Sequence, residues 1–354
     1  MTTFGLEEEF MLIDPGSLEP VPEAREILDS LRASTGADGT KEFLASQVEH
    51  SSRVFSTIPE ALAELTEFRR RLAETAAERG LAAASVGVPF QTTPYPLLTP
   101  GDRYEEVEHE FRSVVADHQV NGLHVHVHVP DRESGVRALN RVRPWIPVLL
   151  ALSGNSPFWR GADTGFCSWR SIILRRWVTA GCPPHFDGAA DYDRRLHSLV
   201  GVGGTVDVET VAWNARLSEH WPTLEFRVFD AQLEAEDSVL LAAVARGLVA
   251  VALDDDTDGD TPPPELLDAS LWHAARDGIG ANLVHPLTGS LEPARVVVEA
   301  LLDHVRDALD PDSDVGFVTA GVDRLFREGN GAARQRAAHA RGSIIRLGDL
   351  TEVH

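Results

Sequence analysis

Three short stretches place acids, imidazoles and a guanidinium at alternate positions, the spacing at which side chains share one face of a strand. Phe4-Gly5-Leu6-Glu7-Glu8-Glu9-Phe10-Met11-Leu12-Ile13 reads as a strand closed by the turn Asp14-Pro15-Gly16. Alternation puts Glu7 and Glu9 on one face and Glu8 on the other. Two carboxylates about 7 Å apart inside an apolar run repel each other unless something positive lies between them. A divalent cation meets that need; a solvated, charged edge strand is the alternative. In Gly122-Leu123-His124-Val125-His126-Val127-His128-Val129-Pro130 the histidines face one way and the valines the other, with His128 outermost. Thr223 to Asp230 forms a third such strand, with Glu225 and Arg227 on one face, where they could also simply neutralise each other. Glu49 ends the strand-like stretch Lys41 to Ser51; Glu42 stands at its beginning, and its membership of a site stays open.

If these strands share a sheet with those faces turned inward, they enclose a carboxylate-lined cavity holding one or two histidines. Hard oxygen donors with a minority of imidazole suit Mg²⁺ or Mn²⁺. Zinc would call for more His or Cys. Between Ser156 and Cys182 four arginines (Arg160, Arg170, Arg175, Arg176) meet one acid, Asp163, a local positive surplus that could seat an anionic substrate. The competing reading has those arginines lying over a tryptophan-rich surface. Lys41 is the only lysine in the chain, so neither a Gly-Lys-Ser/Thr phosphate loop nor a kinase-type strand lysine can be assembled.

Bulk properties exclude more than they identify. A formal charge of -23 over 354 residues argues against nucleic acid or an anionic membrane as partner. Cys167 and Cys182 are too few for a disulfide framework. No apolar run is long enough to span a membrane, and no basic, apolar signal-like region precedes Glu7. Together these lead to the expectation of a cytoplasmic protein.

The elements that must carry the chemical residues follow from periodicity. Helices are expected over Pro22 to Arg32, before a Gly/Asp loop, over Glu60 to Arg79 with Leu62, Leu65, Phe68 and Leu72 as its core stripe, and over Arg103 to His118. Asp131 can cap a further helix carrying Val136, Leu139 and Val142, and Trp145 to Leu152 is apolar all round and so buried. Ser238 to Leu253, Glu292 to Ala308, Val315 to Glu328 and Ala332 to Arg341 complete the helices; Leu81 to Pro89 is a short apolar strand. Irregular segments are expected at Gln91 to Pro100, Ser153 to Arg170, Asp254 to Glu265 and Arg276 to Val284. No repeat of fixed period and no long linker is visible, so residues 1–354 are expected to form a single domain.

In order along the chain, Gly5-Leu6-Glu7-Glu8-Glu9-Phe10, Ser46-Gln47-Val48-Glu49, Gly122-Leu123-His124-Val125-His126-Val127, Asn155-Ser156-Pro157-Phe158, Ser168-Trp169-Arg170 and Glu225-Phe226-Arg227 resemble the carboxylate-amine ligase family called glutamate–cysteine ligase type 2, the YbdK-like proteins. Trp272 to Gly278 and Gly331 to Arg336 resemble its C-terminal signatures. The chain departs from the family at Asn121, where many members carry cysteine. The resemblance implies an α+β fold similar to the catalytic domain of glutamine synthetase: a curved, mainly antiparallel sheet forming a funnel with helices outside. It implies ATP and Mg²⁺ (Mn²⁺ as substitute), and amide formation through an acyl phosphate. Glu7, Glu9, Glu49 and Glu225 would bind the metal with His124 close by, Arg227 would stabilise the transferring phosphoryl group, and Arg170 would meet the acid or acyl phosphate. His124, His126, Arg170 and Asn155 would face the nucleotide. The implied partners are a carboxylic acid, glutamate in the family, and an amine, cysteine in the family; a homodimer is compatible with them. Two readings of another class stand beside this one: a metal-dependent hydrolase built on His124 and His126, and a non-catalytic ligand-binding module.

Overall fold

The computed structural model describes residues 2–35, 39–255, 262–340 and 344–353. Parts of the expected loop after Arg32, half of the acidic run 254–265 and the last residue of the helix expected to end at Arg341 lie outside them. Seven strands build the main sheet: β1 (Phe4–Ile13), β2 (Thr40–Lys41), β3 (Gln47–Ser51), β4 (Ala82–Ala84), β5 (Gly122–His128), then β8 (Ala215–Leu217) and β9 (Thr223–Asp230). Between β5 and β8 a small ribbon, β6 (Phe158–Trp159) and β7 (Ala162–Asp163), stands apart. The order is β2-β3-β1-β5-β9-β8, with β4 pairing the far end of β1, and every pairing is antiparallel.

One face of this sheet is dry. Leu6, Leu123, Val125, Val127, Leu224 and Phe226 are buried there, as alternation requires. They pack under α2 (Ile58–Ala77), α4 (Arg132–Val142), α5 (Ile146–Ser153) and α8 (Ala235–Asp254). Helix α8 is buried along most of its length, so it reads as apolar on all sides. Asp131 caps α4 as expected, its Oδ1 accepting from Ser134 N at 2.8 Å. Glu8 breaks the apolar face, with buried His50 of β3 opposite it. Glu8 sits between Leu6 and Phe10 with its carboxylate against Arg69 of α2 (Nη2 to Oε1 2.6 Å, Nε to Oε2 3.1 Å) and accepts from Ser238 of α8 at 2.6 Å.

Several segments depart from the periodic reading. Lys41 to Ser51 is no continuous strand: residues 42–46 turn between β2 and β3, held where Leu44 N donates to Gln47 Oε1 (2.9 Å) and Gln47 Nε2 donates to Val120 O (2.7 Å). The helix expected to reach His118 ends as α3 (Asp102–Phe111), where Arg112 adopts a positive φ of 52° and a 3₁₀ turn follows. Four helices not expected from the sequence are present: α6 (Trp169–Leu174), α7 (Ala189–Gly201), α9 (Pro264–Asp277) and a last one over Ile344–Thr351. No helix among the described residues is long and apolar enough to cross a membrane.

Candidate active site

The wet face of the sheet carries the polar members of the alternating strands, and strand register brings them together. Glu7 of β1 lies opposite His124 of β5, Glu9 opposite Glu49 of β3, and His126 of β5 opposite Glu225 of β9. Directly opposed residues in antiparallel strands are the closest cross-strand neighbours, so these pairs meet by construction. His124 Nδ1 stands 3.0 Å from Glu7 Oε2, and His126 Nε2 stands 3.3 Å from Glu7 Oε1. His126 Nδ1 is fixed by Thr223 Oγ1 at 2.9 Å. Gly122 N donates to Glu9 Oε2 at 2.7 Å, and His124 Nε2 is 3.7 Å from Glu9 Oε1.

Pairing of β5 with β9 slips between Leu123 and Val125, so that Arg227 and Val228 both oppose His124. A bulge of this kind re-aims a side chain locally. Arg227 ion-pairs with one carboxylate oxygen of Glu225, and Arg216 of β8 donates from Nε to the other at 2.9 Å. Arg216 also reaches the backbone carbonyls of Val208 and Val211, tying the preceding loop to the site.

Electrostatics divide the acids into two groups. Burial alone would raise Glu7 and Glu225. Hydrogen bonds from His124 and His126 overcome this at Glu7, and the charges of Arg227 and Arg216 overcome it at Glu225, so both stay well below the usual carboxylate range. Glu42 and Glu49 go the other way. Burial, then the charge of Glu9, pushes Glu42 up to about 7; burial, then Glu42, Glu7 and Glu9, pushes Glu49 well up. Neither forms an ion pair among the described residues. The turn at 42–46 is what swings Glu42 onto this face, so it joins the cluster that its sequence position left open.

Both groups line one cavity of about 290 Å³, with Phe43, Tyr104, His118, Arg170 and Trp177 among its other walls. A second hollow of about 560 Å³ shares Glu7, His126 and Trp221 with it and takes in Ser52, Val54 and His128. Glu7, His124 and Glu225 offer three donor atoms all within 4.8 Å of one another. Oxygen donors with one imidazole, beside carboxylates raised by burial and by their mutual repulsion, fit a hard divalent cation.

Arg170 enters the cavity from α6, held from behind. Asp230, fully buried at the end of β9, accepts from Asn155 N (2.9 Å), Ser156 Oγ (2.7 Å) and Ser168 Oγ (2.8 Å), and Arg170 N donates to Ser156 Oγ at 3.1 Å. Asn155 therefore does not line the cavity. Its Nδ2 is used on the carbonyls of Ser85 and Ala231, and its Oδ1 accepts from Gln335, which makes it a tie between loop and sheet. The other arginines of the local surplus also point elsewhere: Arg160 and Arg176 pair with Asp117, and Arg175 with Asp268. Arg216, Tyr104, His118 and Trp177 went unnoticed in the sequence. Only Arg216 had a local signal there, a charge alternating with Ala215 and Leu217.

The model of glutamate–cysteine ligase family 2 matches residues 3–349 of the chain. A protein provisionally named glutamate–cysteine ligase 2-1 from Rhodococcus jostii (strain RHA1) is 41% identical over 357 residues, 98% of this chain and 94% of that one. One of the same name from Nocardia farcinica (strain IFM 10152) is 40% identical, covering 94% of this chain and 88% of its own. Among solved structures, the glutamate–cysteine ligase of Francisella tularensis in complex with AMP superimposes with a TM-score of 0.71 at 12% identity, over 99% of this chain and 87% of that one. At that identity the likeness is one of fold: an antiparallel sheet backed by helices.

Proposed function

The chain belongs to glutamate–cysteine ligase family 2 and is an ATP-dependent carboxylate-amine ligase; from that premise we propose that it forms an amide through an acyl phosphate, with Glu7, Glu9, Glu49, Glu225 and His124 as its metal-binding residues. The observation that carries this reading is the convergence of five carboxylates, two imidazoles and two guanidiniums on one face of the sheet. Mg²⁺, when bound there, would neutralise the phosphates of the nucleotide, with Mn²⁺ able to replace it. Glu42 extends the donor set.

Chemistry at the site needs positioning and charge more than a protein nucleophile. A carboxylate oxygen of the acid attacks the γ-phosphorus, the bond to the β-phosphate oxygen breaks, and ADP leaves. The free amine then attacks the carbonyl carbon; the C–N bond forms, the C–O bond to phosphate breaks, and the amine's surplus proton is released. Arg227, anchored by Glu225, faces the negative charge that builds on the phosphoryl oxygens. His126, anchored by Thr223 and Glu7, lies where the two hollows meet and would contact the nucleotide. Arg170 presents a buried positive charge to a substrate carboxylate. Glutamate and cysteine are the pair indicated by the names of the relatives.

Incubation with ATP, Mg²⁺, a panel of carboxylic acids and hydroxylamine tests the acyl phosphate directly. Hydroxylamine replaces any amine, so the expected result is a hydroxamate and one ADP per product with at least one acid. The absence of both hydroxamate and ADP release with every acid, glutamate included, would sink the mechanism.

A further inference from the structure

One end of the inner cavity is built for something that carboxylate activation does not use. Phe43 packs edge-on against Tyr104 of α3 (ring centroids 5.4 Å apart) and against His118 (5.5 Å), and His118 meets Trp177 at 4.8 Å. Trp177 Nε1 donates to His118 Nδ1 at 3.0 Å, so that imidazole nitrogen is an acceptor. Burial, with Arg170 and Arg227 nearby, lowers the His118 pKa to about 3. These rings and Leu174 line the same cavity as the acids and arginines. An uncharged, ring-lined wall in an otherwise ionic pocket favours an apolar, flat group.

Arg170 supplies the second half of the seat. It is 4% exposed; its Nη atoms reach the carbonyls of Arg227 (3.2 Å) and Val228 (3.5 Å), with Asp230 Oδ1 behind at 3.9 Å, and its Nε has no hydrogen-bond partner among the described residues. A buried guanidinium with an unused donor is matched by a carboxylate. Space points the same way: the hollow of about 560 Å³ is the roomier place for a nucleotide, leaving about 290 Å³ for a compact amino acid.

We propose that the amine substrate is an α-amino acid with an aromatic or large apolar side chain, its carboxylate at Arg170 and its side chain against Phe43, Tyr104 and Trp177. This identification rests on the ligase reading and narrows its acceptor. Nothing in the seat selects a thiol, and a cysteine side chain would leave the ring wall uncovered.

The full-length protein, supplied with ATP, Mg²⁺ and the acid that yields a hydroxamate, is offered the standard amino acids and, separately, phenethylamine, with ADP and amide product quantified. Phenylalanine, tyrosine, tryptophan or leucine should exceed cysteine, serine and alanine by about tenfold or more in kcat/KM, and phenylalanine should exceed phenethylamine, its analogue without the carboxylate, by a similar factor. Cysteine or alanine used as well as the aromatic acids overturns the proposal; so does phenethylamine used as well as phenylalanine. If no acid is activated, the ligase mechanism has failed separately, and the seat is judged by equilibrium binding read from tryptophan fluorescence. Tighter binding of L-phenylalanine than of L-alanine then upholds it, and equal or weaker binding overturns it.

Discussion

Glu7 and Glu8 are adjacent, chemically identical and opposite in consequence. Glu7 faces the cavity, where His124 and His126 hold it ionised; Glu8 faces the core, where Arg69 and Ser238 hold it. Glu7→Gln is therefore expected to abolish ADP release while leaving the circular dichroism spectrum of the folded protein unaltered. Alternation alone suggests that Glu8, off the wet face, tolerates the same change, but its burial says otherwise. Glu8→Gln strands a buried guanidinium, so urea unfolding should show a loss of about 3 kcal/mol or more. An unchanged urea midpoint would show that the Arg69 pair carries no weight. Gly122 is the other single position on which much depends. A Cβ there would lie 2.6 Å from Arg170 Nη2 and 3.2 Å from His124 Nε2. Gly122→Ala should lower kcat/KM about a hundredfold with an unaltered circular dichroism spectrum; full activity would mean that Arg170 has room to move.

At the scale of elements, the bulge in β9 and the short edge strand β8 do what no single residue does. Arg227 is re-aimed toward His124, while Arg216 secures the far oxygen of Glu225. Arg216→Met removes one of the two cations on Glu225 and frees the loop whose carbonyls it holds; kcat should fall more than KM rises, as steady-state kinetics in ADP release would show. An effect confined to KM would instead make Arg216 a substrate-binding group. Helices with a wide apolar stripe, α2 and α8, could be read from the chain. Helix α7 could not, since only Tyr192 and Leu196 of its thirteen residues are buried and its pattern is correspondingly faint. Helix α9 begins at Pro264, inside a run that reads as a proline-rich loop, because proline is acceptable in a first helical turn as well as in a loop.

For the molecule as a whole, the crowding of acids couples stability to pH and to divalent ions. Glu42 moves from a usual value of 4.5 to about 7 on folding, and Glu49 moves the same way. A carboxyl whose pKa is raised holds its proton more tightly when folded, so its contribution is present below the unfolded value and lost as pH rises through the folded one. Glu7 and Glu225 are shifted down, and their contribution is present above the usual value of 4.5 and lost progressively as pH falls below it. Without divalent ions the melting temperature should therefore fall between about pH 5 and about pH 8. Mg²⁺ at the higher pH should restore it, by about 2.7 kcal/mol at a hundred times its Kd. A melting temperature that is flat with pH and indifferent to Mg²⁺ would contradict the carboxylate cradle.

Which side chains share a face is a local matter, set by the two-residue period of a strand, and so Glu7 with Glu9, His124 with His126, and Glu225 with Arg227 were legible from residue order alone. The absence of a phosphate-loop lysine and the acidic balance were equally plain there. Which strands stand side by side is not local. The antiparallel register that sets Glu7 against His124 and His126 against Glu225, the turn that carries Glu42 inward and the slip at Arg227 all depend on packing between segments scores of residues apart. Partner choice inside the core is non-local too. That is why Asn155 became a structural tie, why the neighbours of Arg170 turned to surface acids, and why Phe43, Tyr104, His118 and Trp177, drawn from three separate stretches, meet as one wall.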